Sequence, residues 1–222
     1  MKSIVLLSGG IDSSTALAIA KERGYECYAL TLYYGQKHRR ELESAKRVAG
    51  SIGVSEHRVA SLPEILFRGS SLTGQGKVPV ADRSENGEKI PTTYVPARNL
   101  IFLSLAVGWG EVIGADSVFI GATAVDYSGY PDCRKEFLTS FQETSTLATK
   151  KGVEGSPITI EYPLVDMTKS EIILEGIRLG LDYSLTWSCY RGGEKACGEC
   201  DSCRYRLKGF REAGLEDPLE YM

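Results

Sequence analysis

The chain has 222 residues, 42% of them hydrophobic, which is enough for one well-buried core and short for two full domains. Lys and Arg number 26 against 29 Asp and Glu, and a net charge of −3 gives no electrostatic case for wrapping a polyanionic nucleic acid. The longest apolar stretch, around Leu100 to Val107, is too short and interrupted to span a bilayer, and the chain runs straight into a strand without a signal-peptide layout, so a cytoplasmic protein is expected.

In chain order, Ile4–Leu7 reads as a strand, followed by a helix to about Arg23 and a second strand over Cys27–Tyr34. Leu42, Ala45, Val48, Ala49 and Ile52 fall on one face of a second helix ending near Gly53, before a short strand at His57–Ala60. Residues 68–92 carry four glycines and two prolines with little periodicity, which predicts a long loop, mobile without ligand. Arg98–Gly114 is apolar on most faces and predicts a buried helix; Ser117–Ile120 predicts a strand, and Glu136–Lys150 and Ser170–Leu179 further helices. Repeated strand–helix alternation implies an α/β fold with an open, doubly wound parallel sheet covered on both faces. The expected division is an α/β domain over 1–185 and a cysteine-bearing, partly helical segment over 186–222.

The first chemical signal sits at the first strand-to-helix junction, where residues 7–14 read Leu7-Ser8-Gly9-Gly10-Ile11-Asp12-Ser13-Ser14. Gly9 and Gly10 permit backbone angles closed to other residues and leave room for a ligand. The serine hydroxyls and the free N–H groups of the first helical turn favour an anion at the same spot. A plain capped turn would explain two glycines, but not the whole string in this context. No Gly-Lys-Ser/Thr follows, which excludes a Walker A loop, and the Gly-x-Gly-x-x-Gly fingerprint is absent. The string resembles the PP-loop of N-type ATP pyrophosphatases.

The second signal is Cys189-x7-Cys197-x2-Cys200-x2-Cys203, four of the six cysteines within fifteen positions. Four soft thiolates suit a closed, tetrahedral structural zinc site. An iron–sulfur cluster fits the spacing less well, and a redox dithiol leaves two cysteines unexplained. Cys27 reads as a small hydrophobe of its strand.

Four further stretches carry candidate groups. Tyr34-Gly35-Gln36-Lys37-His38 leaves the second strand at the sheet edge where open α/β folds bind ligands, so Tyr34, Gly35, Gln36 and His38 join the nucleotide candidates. Arg98 and Asn99 open a helix, where an Arg opposes the dipole unless an anionic ligand sits there. The loop Gly121 to Arg134 mixes aromatics, carboxylates and an Arg, which suits a flat heterocycle. Its candidates are Asp126, Tyr127, Tyr130, Asp132 and Arg134, with the two Asp accepting from a guanine-like N–H edge. Thr168 and Glu171 are spaced as a capping box, leaving Lys169 free for a phosphate.

Together with Thr186-Trp187-Ser188-Cys189-Tyr190, these motifs resemble the 7-cyano-7-deazaguanine synthase family nearly end to end. The resemblance implies a ligase of queuosine biosynthesis that converts 7-carboxy-7-deazaguanine, ammonia and ATP into the nitrile. It also implies a homodimer with one zinc per subunit, Mg²⁺ with the ATP, and no direct contact with nucleic acid or membrane. The chemistry expected is adenylation of the carboxylate, displacement of AMP by ammonia, then a second adenylation that removes the amide oxygen. Asp12, Lys169 and Arg98 are the candidate catalytic groups. A tRNA-thiolating or amidating PP-loop enzyme, and a zinc-ribbon binding module, are the competing readings.

Overall fold

Alternating side chains of three short strands divide the interior into two layers. In the computed structural model, which describes residues 1–36, 39–73, 90–123 and 129–222, β1 (Lys2–Leu6) sends Ile4 and Leu6 to one side and Val5 to the other. β2 (Glu26–Tyr33) does the same with Leu30 and Leu32 against Cys27 and Ala29, and β4 (Ser117–Phe119) with Val118 against Phe119. With β3 (Glu56–Ser61) and β5 (Thr159–Glu161) they form one five-stranded sheet, ordered β3-β2-β1-β4-β5 and parallel throughout. Apolar residues on both sides of the strands require cover on both faces.

One face is covered by α1 (Ile11–Glu22), α2 (Arg40–Ile52), α6 (Lys169–Arg178) and α7 (Asp201–Glu212), through Leu17, Val48, Ile172 and Phe210. The other is covered by α3 (Arg98–Ile113) and α4 (Lys135–Ala148), through Leu103, Trp109, Leu138 and Phe141. The doubly wound parallel sheet read from the alternation is the fold observed. Its strand order reverses between β1 and β4, and a crevice opens above their C-terminal ends, where such sheets take ligands.

Several element expectations change. The helix over 136–150 is two helices, because Thr149 is extended (φ −118°, ψ 151°) and its hydroxyl accepts from Gly152 N to start α5 (Lys150–Val153). α3 is not a buried helix. It buries Leu103, Ala106, Val107 and Trp109, while Leu100, Leu105 and Val112 are 44%, 39% and 80% exposed, so its even apolarity covers two environments. β5 gave no signal beyond Ile158 and Ile160, as three residues are too few for a period to register. Of the expected loop, residues 74–89 lie outside the described residues; its two ends are joined by Ser71 N donating to Thr92 O at 2.9 Å.

Candidate active site

The glycines of the first junction are there for close approach. Gly9 has φ +81°, and a Cβ on it would lie 2.5 Å from Ala45 N and 2.6 Å from Glu41 O, so α2 presses directly on the loop. Gly121, just beyond β4, presses from the other side, where a Cβ would meet Asp12 C and Ser13 N at 2.7 Å. Between them α1 starts at Ile11 with no side-chain cap, leaving its first N–H groups facing the crevice. The loop's hydroxyls bond to one another: Ser13 Oγ accepts from Ser8 N at 3.1 Å and shares a hydrogen with Ser8 Oγ at 3.0 Å. Asp12 points across to Lys169, the first residue of α6, with Nζ 2.5 Å from Oδ1. The capping box beneath that contact is present, Thr168 and Glu171 each serving the other's backbone.

The crevice is a cavity of about 310 Å³, at the low end of small-molecule sites. Leu7, Ser8, Gly10, Ile11, Asp12, Ser13, Tyr34, Gln36, Arg98, Asn99, Tyr130 and Lys169 all line it, so most of the candidates from separate stretches of sequence meet in one place. Gly9 stands behind the loop, and Ser14 is fully buried without a partner for its hydroxyl. Gly35 packs on Glu64 instead. His38, Asp126 and Tyr127 lie outside the described residues.

The start of α3, which lines the same cavity, is held in an unusual way. Ala97 has φ 54°, the one positive φ among described non-glycine residues, and its N–H donates to Tyr94 Oη at 3.0 Å. Asp132 is buried and its carboxylate accepts from Asn99 N at 2.9 Å, while Asn99 Nδ2 donates to Asp132 O and to Cys133 Sγ at 3.1 and 3.2 Å. The structure therefore uses Asp132 as an acceptor at a helix N-terminus, not as a wall of the cavity, because a carboxylate there satisfies an orphan N–H and favours the dipole. Arg134 is exposed at the start of α4 and also lies outside the cavity. What this arrangement delivers into the cavity is Arg98. Burial works against its charge, but Tyr34, Cys133, Tyr130 and Asp132 around it outweigh that and hold its pKa above the ordinary arginine value. Burial pushes the Cys133 thiol up to about 11.

The four cysteines form their own cluster. Their sulfurs lie within 4.8 Å of one another and all four residues are buried. A tetrahedron of sulfurs about 2.3 Å from a metal has edges of about 3.8 Å, and Cys197 Sγ to Cys203 Sγ is 4.0 Å. Backbone N–H groups of Arg191 and Cys197 donate to Cys189 Sγ, and that of Cys200 to Cys197 Sγ, each at 3.4 Å, as suits thiolates. All six cysteines are free of disulfides, and Cys27 is a buried member of the β2 core, as expected.

The segment that carries the cysteines is also a wall of the cavity, which sequence reasoning missed. Trp187, Tyr190, Asp201, Ser202 and Tyr205 line it, Trp187 N donates to Gly9 O at 2.9 Å, and Arg40 stacks on Trp187 at 4.9 Å while bonding Gly193 O and Glu194 O. Glu41 was missed too. It lies three positions past His38, in the first turn of α2, where it reads as an ordinary acidic first-turn residue.

Residues 2–214 match the family model described as "Queuosine biosynthesis protein QueC". The chain belongs to this family. It is 54% identical to 7-cyano-7-deazaguanine synthase of Saccharophagus degradans over 99% of this chain and 97% of that one, and 55% identical to that of Desulfatibacillum aliphaticivorans over 100% and 97%. It is thus a ligase-type enzyme of queuosine biosynthesis, and the cysteine segment is part of that enzyme rather than a free-standing module. Among solved structures, NMN synthetase from Francisella tularensis superposes with a TM-score of 0.50 at 16% identity, covering 97% of this chain and 78% of that one, a likeness of fold. Among the described residues, no helix is long and apolar enough to cross a membrane.

Proposed function

We propose that this chain makes 7-cyano-7-deazaguanine from 7-carboxy-7-deazaguanine, ammonia and ATP by adenylating the same carbon substituent twice in one cavity. The observation that carries this reading is that a single cavity is lined both by the glycine loop on its uncapped helix and by Arg98 with Tyr130. A carboxylate is a poor electrophile, so its oxygen first attacks the α-phosphorus of ATP and pyrophosphate leaves on the loop. Ammonia displaces AMP to give the amide. Adenylation of the amide oxygen then makes it a leaving group, and its loss gives the nitrile.

Ser8, Gly10 and Ser13 with the first N–H groups of α1 are assigned to the pyrophosphate; Gly9 acts by shaping the loop. Asp12 fixes Lys169, whose ammonium offsets charge at the phosphates, and Arg98 holds the carboxylate, with Tyr130 beside it. Mg²⁺ accompanies the ATP and screens its phosphates. The four cysteines hold one zinc ion, which fixes the fold of the 186–222 segment, and Trp187 and Arg40 dock that segment on the α/β domain of 1–185. We assign the enzyme to the cytoplasm as a homodimer; the exposed Leu100, Leu105 and Val112 of α3 supply an apolar face.

The test is incubation of the purified protein with the acid, ATP, Mg²⁺ and ammonium. A nitrile by mass with AMP and pyrophosphate is the expected outcome. ADP and phosphate in place of AMP would refute adenylation.

A further inference from the structure

Two steps of the proposed reaction need a proton acceptor. Ammonium must lose a proton before nitrogen can attack, and the adenylated amide must lose its last N–H as the nitrile forms. The described lining of the cavity contains no imidazole: His57 lies outside it, with Nε2 2.7 Å from Thr31 Oγ1. Asp12 is committed to Lys169. The Tyr34 phenol is pushed up by burial, too weak a base when neutral.

Of the two further carboxylates in the described lining, Glu41 and Asp201, Glu41 is the one whose helix packs on the glycine loop. It stands in the first turn of α2, its backbone against Gly9 of the glycine loop, and it lines the same cavity as Arg98, whose charge it feels. Arg98 acts on the Glu41 carboxylate through its charge, with no ion pair between the two among the described residues. We propose that Glu41 is the catalytic base of this enzyme, taking a proton from ammonium in the first half of the reaction and from the adenylated amide nitrogen in the second. This rests on the double-adenylation reading above.

In the first half, an ammonium N–H bond breaks and the Glu41 O–H bond forms. The freed nitrogen pair makes the C–N bond, the C–O bond to AMP breaks with its electrons leaving on the phosphate, and the extra proton on nitrogen goes to water. In the second half, the amide oxygen attacks the α-phosphorus with loss of pyrophosphate, and the resulting adenylate gives its first N–H proton to water; Glu41 takes the remaining N–H proton, the electrons of that bond close the C≡N bond, and the C–O bond breaks onto AMP. Between halves Glu41 returns its proton to solvent. Burial pushes its carboxyl up to about 7, with Arg98 pulling the other way, which places it where a base works best at neutral pH. Burial and Arg98 set that value; the other charged and titratable groups of the described lining are Tyr34, Tyr130, Cys133, the Asp12–Lys169 pair, Tyr190, Asp201, Tyr205 and Arg206.

The experiment compares wild type with Glu41→Gln in three measurements. With acid and ATP but no ammonium, both should give a burst of pyrophosphate, which also shows that the variant is folded. With ammonium at pH 7 the variant should form amide about 100-fold more slowly, and the gap should narrow as the pH approaches the ammonium pKa and free ammonia takes over. With the isolated amide and ATP, the variant should make nitrile slowly at every pH. Equal amide rates at pH 7, or a gap independent of pH, overturns the assignment. No burst in wild type overturns adenylation and the assignment with it. If Glu41→Gln does not fold, Glu41→Asp should keep the burst and the pH dependence while slowing both later steps; unchanged later steps would overturn it equally.

Discussion

At the scale of single residues, the same side chains serve the fold and the chemistry at different cost. Glu41 carries a thermodynamic consequence that is independent of turnover. Its carboxyl titrates near 7 in the folded chain against about 4.5 unfolded, so between those values the folded state binds more protons and stability falls as pH rises. Glu41→Gln should therefore melt higher than wild type at pH 8, with the difference vanishing toward pH 4.5. Thermal melts at several pH values check this, and a variant less stable at pH 8 would contradict the burial. Asp132 is the opposite case. Its carboxylate satisfies Asn99 N inside the protein, so Asp132→Ala should cost about 1–3 kcal/mol of stability. Any loss of acid affinity should follow from a displaced Arg98; denaturant melts that match wild type, alongside weakened acid binding, would return Asp132 to the ligand.

Elements explain which of these roles sequence alone could show. The loop over 8–14 and the four cysteines are legible because each is a local string whose spacing dictates its geometry: strand, glycines and helix in the first, short gaps between thiols in the second. The capping box at Thr168 is legible for the same reason, and Thr168→Ala should cost about 1 kcal/mol of stability by chemical denaturation, with no change expected if α6 is capped otherwise. Asp132 and Glu41 are not legible. Asp132 acts on a helix thirty-three positions away, and whether an Asp in a loop meets a ligand or a helix N-terminus depends on the packing of α3 against that loop. Glu41 looks like a first-turn acid until Gly9 brings α2 onto the glycine loop. Likewise α3 reads as buried from its composition, and only the sheet it packs on tells which half faces out.

For the whole molecule, the doubly wound sheet sets one crevice at its switch point and the cysteine segment closes one wall of it. Trp187 joins the two, its N–H on Gly9 O and its ring under Arg40. Metal loss should therefore reach the nucleotide. If the four cysteines hold the zinc proposed above, Cys200→Ser, or chelation of the wild type, should release one zinc per chain, lower solubility and weaken ATP binding in whatever protein stays folded. Metal analysis with calorimetry on the soluble fraction checks it; full ATP affinity in metal-free protein would separate the cysteine segment from the site.

The central claim is that one cavity activates the same substituent twice. The most direct test is to quantify nucleotide products against nitrile, starting from the acid and, separately, from the isolated amide. Two AMP per nitrile are expected from the acid and one from the amide, with the amide appearing transiently in the first case. One AMP per nitrile from the acid, or conversion of the amide without ATP, would contradict it.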